Sequence, residues 1–181
     1  MHTTQPIVTP RIPQLCSAAA IALAAVLVAP TAGADTDKAT ADIKDLKGEV
    51  VGTAELQQTP AGVLLDVKLN DLPAGVHALH IHETGKCEPP FKSAGGHYHR
   101  PGETHGYLTE SGPHAGDMPN IHVPESGQLE LEVLTGVHQL GEEVLDVDGS
   151  SLVIHEGADD YKSQPAGAAG ERIACGVITA Q

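Results

Sequence analysis

Val63, Leu65, Val67 and Leu69 recur at every second position behind the turn signal Thr59-Pro60-Ala61-Gly62. A period of two is the mark of a strand with one buried face. Ahead of the turn, Gly48–Gln57 carries Val50, Val51, Ala54 and Leu56 among polar residues, so the two runs are predicted to pair as a β-hairpin. Asn70-Asp71-Leu72-Pro73-Ala74-Gly75 then turns the chain into a run over Val76–His82. Alternation resumes at Leu129, Leu131 and Val133, and again in Glu143–Val147, Leu152–His155 and Ile173–Ile178. Residues 35–43 read as a polar lead, and no stretch beyond the N-terminal region shows a helical period. Short strands punctuated by turns imply an all-β antiparallel sandwich or barrel. With one Phe, three Tyr and no Trp in 181 residues, its core must be aliphatic.

The N-terminus reads differently. Arg11 is followed by an apolar run from Ala18 to Ala29 and by Ala32-Gly33-Ala34, an A-x-A cleavage pattern. This is the layout of a secretory signal peptide over residues 1–34, with one domain over 35–181. The run is short for a membrane span, although an uncleaved anchor is the competing reading. Cys16 precedes the run instead of closing it, which argues against a lipoprotein. Cleavage would leave only Cys87 and Cys175. Two cysteines in an exported chain read as one disulfide, worth about 4–5 kcal/mol in the chain-entropy account. The expected location is periplasmic or secreted. The net charge of −14 argues against nucleic acid or an anionic membrane surface as a partner. The sequence leaves a homodimer open.

Between Glu83 and Pro119 neither period is present, and Gly, Pro and His dominate. A structureless stretch of that length inside a compact domain is usually functional. Ten of the eleven histidines fall between His77 and His155, and imidazole is the commonest side-chain ligand for borderline metals. His80 and His82 are two apart in a predicted strand and therefore project from one face, ready to share one metal. The irregular stretch contributes His97, His105, His114 and Asp117, three imidazoles and a carboxylate that suit a four-coordinate zinc shell. Asp117 follows Gly116 in a turn that suits a carboxylate swinging back towards His114. His155 ends the strand Leu152-Val153-Ile154, where it can join His80 and His82.

The segments GVHALHIHETGKCEPP, SAGGHYHRPGETHG, GPHAGDMPN, SLVIHEGADD and GERIACGVI resemble, in order, the signature segments of the copper–zinc superoxide dismutase family, bacterial secreted type. They span about two-thirds of residues 35–181. The resemblance implies an eight-stranded Greek-key sandwich or barrel with long metal-binding and disulfide loops. It implies copper on His80, His82, His97 and His155, and zinc on His97, His105, His114 and Asp117, with His97 bridging the two ions. Asp159 would tether ligand imidazoles of both ions, and Cys87 and Cys175 would form the family disulfide. Catalysis would fall to His97 and Arg172, the latter beside the open copper position, with superoxide as substrate and O₂ and H₂O₂ as products.

A strongly acidic protein should repel an anionic substrate, so Arg172 would supply a local attraction, with Lys162 and Lys92 as further candidate cations. His99 stands where the family usually carries Asn or Asp. His77, His122 and His138 match no ligand position and read as surface or strand histidines. Two other functions stay open on sequence alone: a metal buffer or chaperone-like domain without turnover, and a purely structural sandwich.

Overall fold

The computed structural model describes residues 1, 2 and 37–181. The predicted leader and its cleavage pattern lie almost wholly outside the described residues. Ten strands are present among the described residues: β1 (Lys38–Asp45), β2 (Val50–Thr59), β3 (Gly62–Leu69), β4 (Gly75–His77), β5 (Leu79–His82), β6 (Ile121–Val123), β7 (Leu129–Leu134), β8 (Ser151–His155), β9 (Arg172–Val177) and β10 (Thr179–Ala180). Eight form an antiparallel sheet in the order β5-β8-β9-β1-β2-β3-β7, with β10 also on β1; β4 and β6 make a separate ribbon. After the β1–β2–β3 meander the chain leaves for the far end of the sheet, where β5 pairs with β8, and later returns to lay β7 on β3. Such non-sequential pairing is the Greek-key arrangement.

The predicted hairpin is β2–β3, in continuous register from Gly52↔Leu69 to Thr59↔Gly62. Val63, Leu65, Val67 and Leu69 are no more than 1% exposed, while Lys68 between them faces solvent. They join Ile43, Leu56, Leu79, Ile81, Leu152 and Ile154 in one aliphatic core. Each such side chain stabilises the fold by roughly 1.5–3 kcal/mol.

Four expectations need correction. The polar lead is strand β1, whose inward residues are Ala39, Ala41 and Ile43. Two of those three are alanines, so the alternation is faint in hydrophobicity although regular in space. The run Val76–His82 is divided at Ala78, with β4 going to the ribbon and β5 to the main sheet. The Ala78 N–H donates to Gly157 O and its carbonyl accepts from His155 N, which occupies the break with loop and strand-end partners. The predicted strand Glu143–Val147 is instead overlapped by a π-helical turn over Leu140–Val144. The Glu143 carboxylate accepts the His138 and Gln139 N–H groups, which holds the segment folded back on itself. Finally, β6 was missed because three residues are too few to display a period.

Glu83–Pro119 has no element beyond a short 3-10 turn at Lys92–Ala94. One end is fastened by the Cys87–Cys175 disulfide, which spans 88 residues of chain and joins Phe91, Ala94 and Val153 in a small satellite core.

Candidate metal centre

Among the described residues, strand β5 has a ladder partner, β8, on one edge only. Its other edge is taken by the long loop, through isolated bridges His82↔His97 and His80↔Asp117. The Ile81 N–H donates to Gly116 O at 2.9 Å, and Tyr98 N–H donates to Ile81 O at 2.8 Å. Gly116 is needed for this approach, since a Cβ there would lie 2.3 Å from Ile81 O. Backbone pairing therefore sets His97 beside His82, and Asp117 beside His80, before any side chain is considered.

Two donor groups result. In the first, His80, His82, His97 and His155 are all buried, with ring centroids between 4.0 and 6.4 Å apart. In the second, His97, His105, His114 and Asp117 converge, their three ring centroids 5.1–5.7 Å apart. Within each group the donor atoms lie within 4.8 Å of one another, and His97 belongs to both.

The free atoms define what the groups can hold. His80 Nδ1, His97 Nε2 and His114 Nδ1 are buried without a hydrogen-bond partner among the described residues. An orphaned buried polar atom costs roughly 1–3 kcal/mol, so three in one centre call for a ligand. On the opposite side of the His97 ring, Nδ1 is 2.7 Å from Asp117 Oδ1; His105 Nδ1 is 3.1 Å from the same oxygen and His114 Nδ1 3.3 Å. Donors on a tetrahedral zinc with bonds of about 2.0–2.1 Å would be separated by about 3.3 Å. The three-nitrogen, one-oxygen set thus fits zinc. The all-imidazole group, where His82 Nε2 and His155 Nε2 are 3.5 Å apart, suits copper equally well.

The second ring nitrogens of His80, His82, His105 and His155 are occupied, which fixes how each of these rings presents its donor. His82 Nδ1 donates to Gly95 O at 3.1 Å, turning Nε2 inward. Asp159 spans the two groups: Oδ2 accepts from His80 Nε2 at 3.0 Å and Oδ1 from His105 Nε2 at 2.9 Å. Gly167 permits this bridge, because a Cβ at its φ of 65° would lie 1.8 Å from Asp159 Oδ1. Burial works against the Asp159 charge, but the bonds from His80 and His105 outweigh it and bring the carboxyl down to about 2. Burial lowers His80 to about 4 and His155 to about 3, against a raising hydrogen bond in each case. Burial also pushes His82 well down. These rings are accordingly neutral near pH 7, the form in which imidazole ligates.

Arg172, at the start of β9, donates to Phe91 O and Gly95 O, both at 2.6 Å. Gly95 O therefore serves both this guanidinium and His82. Arg172, His97, His99 and His114 line a cleft of about 230 Å³, with Glu83, Gly96, Pro165 and Ala166. Neither Lys92 nor Lys162 lines it, which leaves Arg172 as its one cation among the described residues.

Three supporting residues, Asn120, Tyr107 and Tyr161, carry no signal of their own in the sequence. The Asn120 amide grips the Asp159 backbone at both ends, accepting from its N–H at 2.8 Å and donating to its carbonyl at 2.9 Å. Asn120 N–H donates to the Tyr161 hydroxyl, and Tyr161 packs against Tyr107, whose hydroxyl donates to Asp117 O. An asparagine after a proline reads as a turn residue, so only its place in GDMPN distinguished it. His77 is buried, with Nδ1 2.9 Å from His155 O and Nε2 2.9 Å from Pro73 O. Of the two readings, surface or strand, it is the strand one that holds: His77 ends β4 and supports the backbone of a donor residue, whereas His122 and His138 are exposed.

Residues 50–178 match the family model for copper/zinc superoxide dismutase (SODC). The chain is 50% identical over 147 residues to superoxide dismutase [Cu-Zn] 1 of Aquifex aeolicus, covering 78% of this chain and 87% of that protein. Among solved structures it resembles a SOD-like protein from Bacillus subtilis, with a TM-score of 0.71 and 34% identity over 76% of this chain and 95% of the other. It also resembles the Cu/Zn superoxide dismutase of Brucella abortus, with a TM-score of 0.65 and 32% identity over 78% and 99%.

Proposed function

Because the chain belongs to the copper/zinc superoxide dismutase family, we propose that its two donor groups divide the metals between them. His80, His82, His97 and His155 hold copper, and His97, His105, His114 and Asp117 hold zinc. The enzyme is an oxidoreductase acting on superoxide, with copper and zinc as cofactors. The observation that carries the assignment is the set of three orphaned buried nitrogens distributed over two groups that share one ring.

Copper, when bound, supplies the one-electron couple by which one superoxide leaves as O₂ and the next as H₂O₂, while zinc, which has no redox chemistry, orders the loop and tunes the shared imidazole. The protein's own residues do the rest. Arg172 draws the anion into the cleft and orients it, since a fixed guanidinium keeps its charge at every working pH. The Phe91 and Gly95 carbonyls hold that guanidinium in place. His97 keeps Nδ1 on the Asp117 side and offers Nε2 to the copper group, so Nε2 would take up one proton and supply it to the departing peroxide, the second proton of H₂O₂ coming from water. Asp159 holds His80 and His105 in their ligating tautomers. Net negative charge elsewhere makes Arg172 the local exception on which substrate approach depends.

The apolar run and A-x-A pattern of residues 1–34 support export to the periplasm or medium, and mature protein is expected to begin at Asp35 on N-terminal sequencing. The functional test is superoxide consumption by protein reconstituted with copper and zinc. Turnover far above that of free copper is expected. Stoichiometric metal uptake without such turnover would make the protein a metal holder instead.

A further inference from the structure

We propose that His99 is a capture ligand, which takes up an incoming zinc ion at the mouth of the cleft and passes it to His114. The inference rests on the reading of His97, His105, His114 and Asp117 as the zinc donors.

His99 is an exposed side chain on the lining of the cleft that also contains His97 and His114. Its Nδ1 is 3.1 Å from His97 O. A carbonyl oxygen only accepts, so Nδ1 carries the hydrogen and the neutral ring keeps its lone pair on Nε2. No protein group among the described residues bonds to that Nε2. The bond to His97 O therefore orients a free, metal-ligating nitrogen at the entrance and leaves it in reach of solvent. The His99 and His114 ring centroids are 5.4 Å apart, inside the 5.1–5.7 Å found among the three imidazoles of the zinc group itself. Two rings at that spacing can share one ion for the duration of a transfer. His114 is the natural recipient: it is half-buried, unlike fully buried His97 and His105, and its orphaned Nδ1 faces the inner group.

His99 is absent from both convergent donor groups, so it contributes to the path and not to the final complex. A group that stabilises only the transition state for entry does the same for exit. It raises both rate constants by one factor and leaves their ratio unchanged. A residue that merely supported the loop would alter the ratio instead.

The experiment follows zinc uptake by metal-free full-length protein in a stopped-flow instrument, with zinc ion alone and a fluorescent zinc indicator as competitor. Wild type is compared with His99→Asn, His99→Ala and, as a control, His138→Asn at an exposed histidine outside the cleft. Both His99 variants are expected to slow association roughly three- to tenfold and to slow dissociation by the same factor, with an unchanged equilibrium constant; the control should match wild type. Unchanged association would overturn the proposal, as would weaker equilibrium binding, which would make His99 a resident ligand or a structural support. Equal slowing by His138→Asn would overturn it too, by reducing the effect to general surface charge. Wild type that takes up no zinc would refute the zinc assignment itself, a result separate from any of these.

Discussion

The two donor groups, proposed for copper and for zinc, share a ring yet are held by different means. His80, His82 and His155 stand on β5 and β8, which pair in register from Leu79↔Ile154 to His82↔Ser151. Their spacing is dictated by a ladder with the core on its other face. The donors proposed for zinc all come from the long loop, and nothing regular separates His97 from His105 or His105 from His114. They are placed by individual bonds: the two loop bridges to β5, Gly106 N–H and His114 N–H on Asp117 Oδ2, and the Asp159 tether. One group is prepared by the sheet, whereas the other, on the proposed assignment, would be completed by its ion. Metal binding commonly contributes folding free energy to a segment with little apolar burial.

The largest expected effect comes from removing what the two groups share. His97→Ala should abolish turnover and weaken both metals by well over the roughly 10–100-fold typical of losing a supporting residue. Retention of tight zinc and copper binding in that variant would show that the groups are separate. Next comes the bridge. Asp159→Asn should weaken both ions by about 10–100-fold, measured by chelator competition, because an amide cannot accept from both His80 and His105. A loss confined to one ion would break the idea that Asp159 joins the groups. Arg172→Ala should lower the second-order rate severalfold at unchanged copper content, and the remaining rate should respond less steeply to salt. An unchanged rate would remove Arg172 from the mechanism.

The contrast also sharpens under metal removal. Stripping the protein is expected to accelerate amide exchange across residues 97–117 while β5 and β8 keep their protection. Equal loss in both regions would mean that the strands also depend on metal. Smallest of all, Asn120→Ala should weaken zinc by a few-fold, less than Asp159→Asn, since it loosens the backbone of the tether and not the tether itself. A zinc affinity equal to that of wild type would reduce Asn120 to a loop support.

The same contrast explains what was legible in the sequence. Strand donors can be read from a period, so His80 and His82 are recognisable as neighbours on one face, and the β2–β3 hairpin declares itself through Val63, Leu65, Val67 and Leu69. Loop donors can be read only by residue type, because no period governs their placement. The bonds that place them were invisible for the same reason. Asn120 acts through its side-chain amide on a backbone 39 residues away, and no local pattern encodes such a contact. His77 is a strand histidine outside both donor groups, as its place in the sequence implies, but no local pattern encodes its bonds to the His155 and Pro73 carbonyls. β1 carries only a faint hydrophobic alternation because alanine fills two of its three inner positions.

The central claim is that two ions share the His97 ring, and anomalous diffraction from crystals loaded with copper and zinc tests it most directly. Data on either side of each absorption edge should show one copper peak among His80, His82, His97 and His155. They should show one zinc peak among His97, His105, His114 and Asp117, with the ring of His97 between the two. A single peak, or two peaks of which only one contacts that ring, would contradict the account.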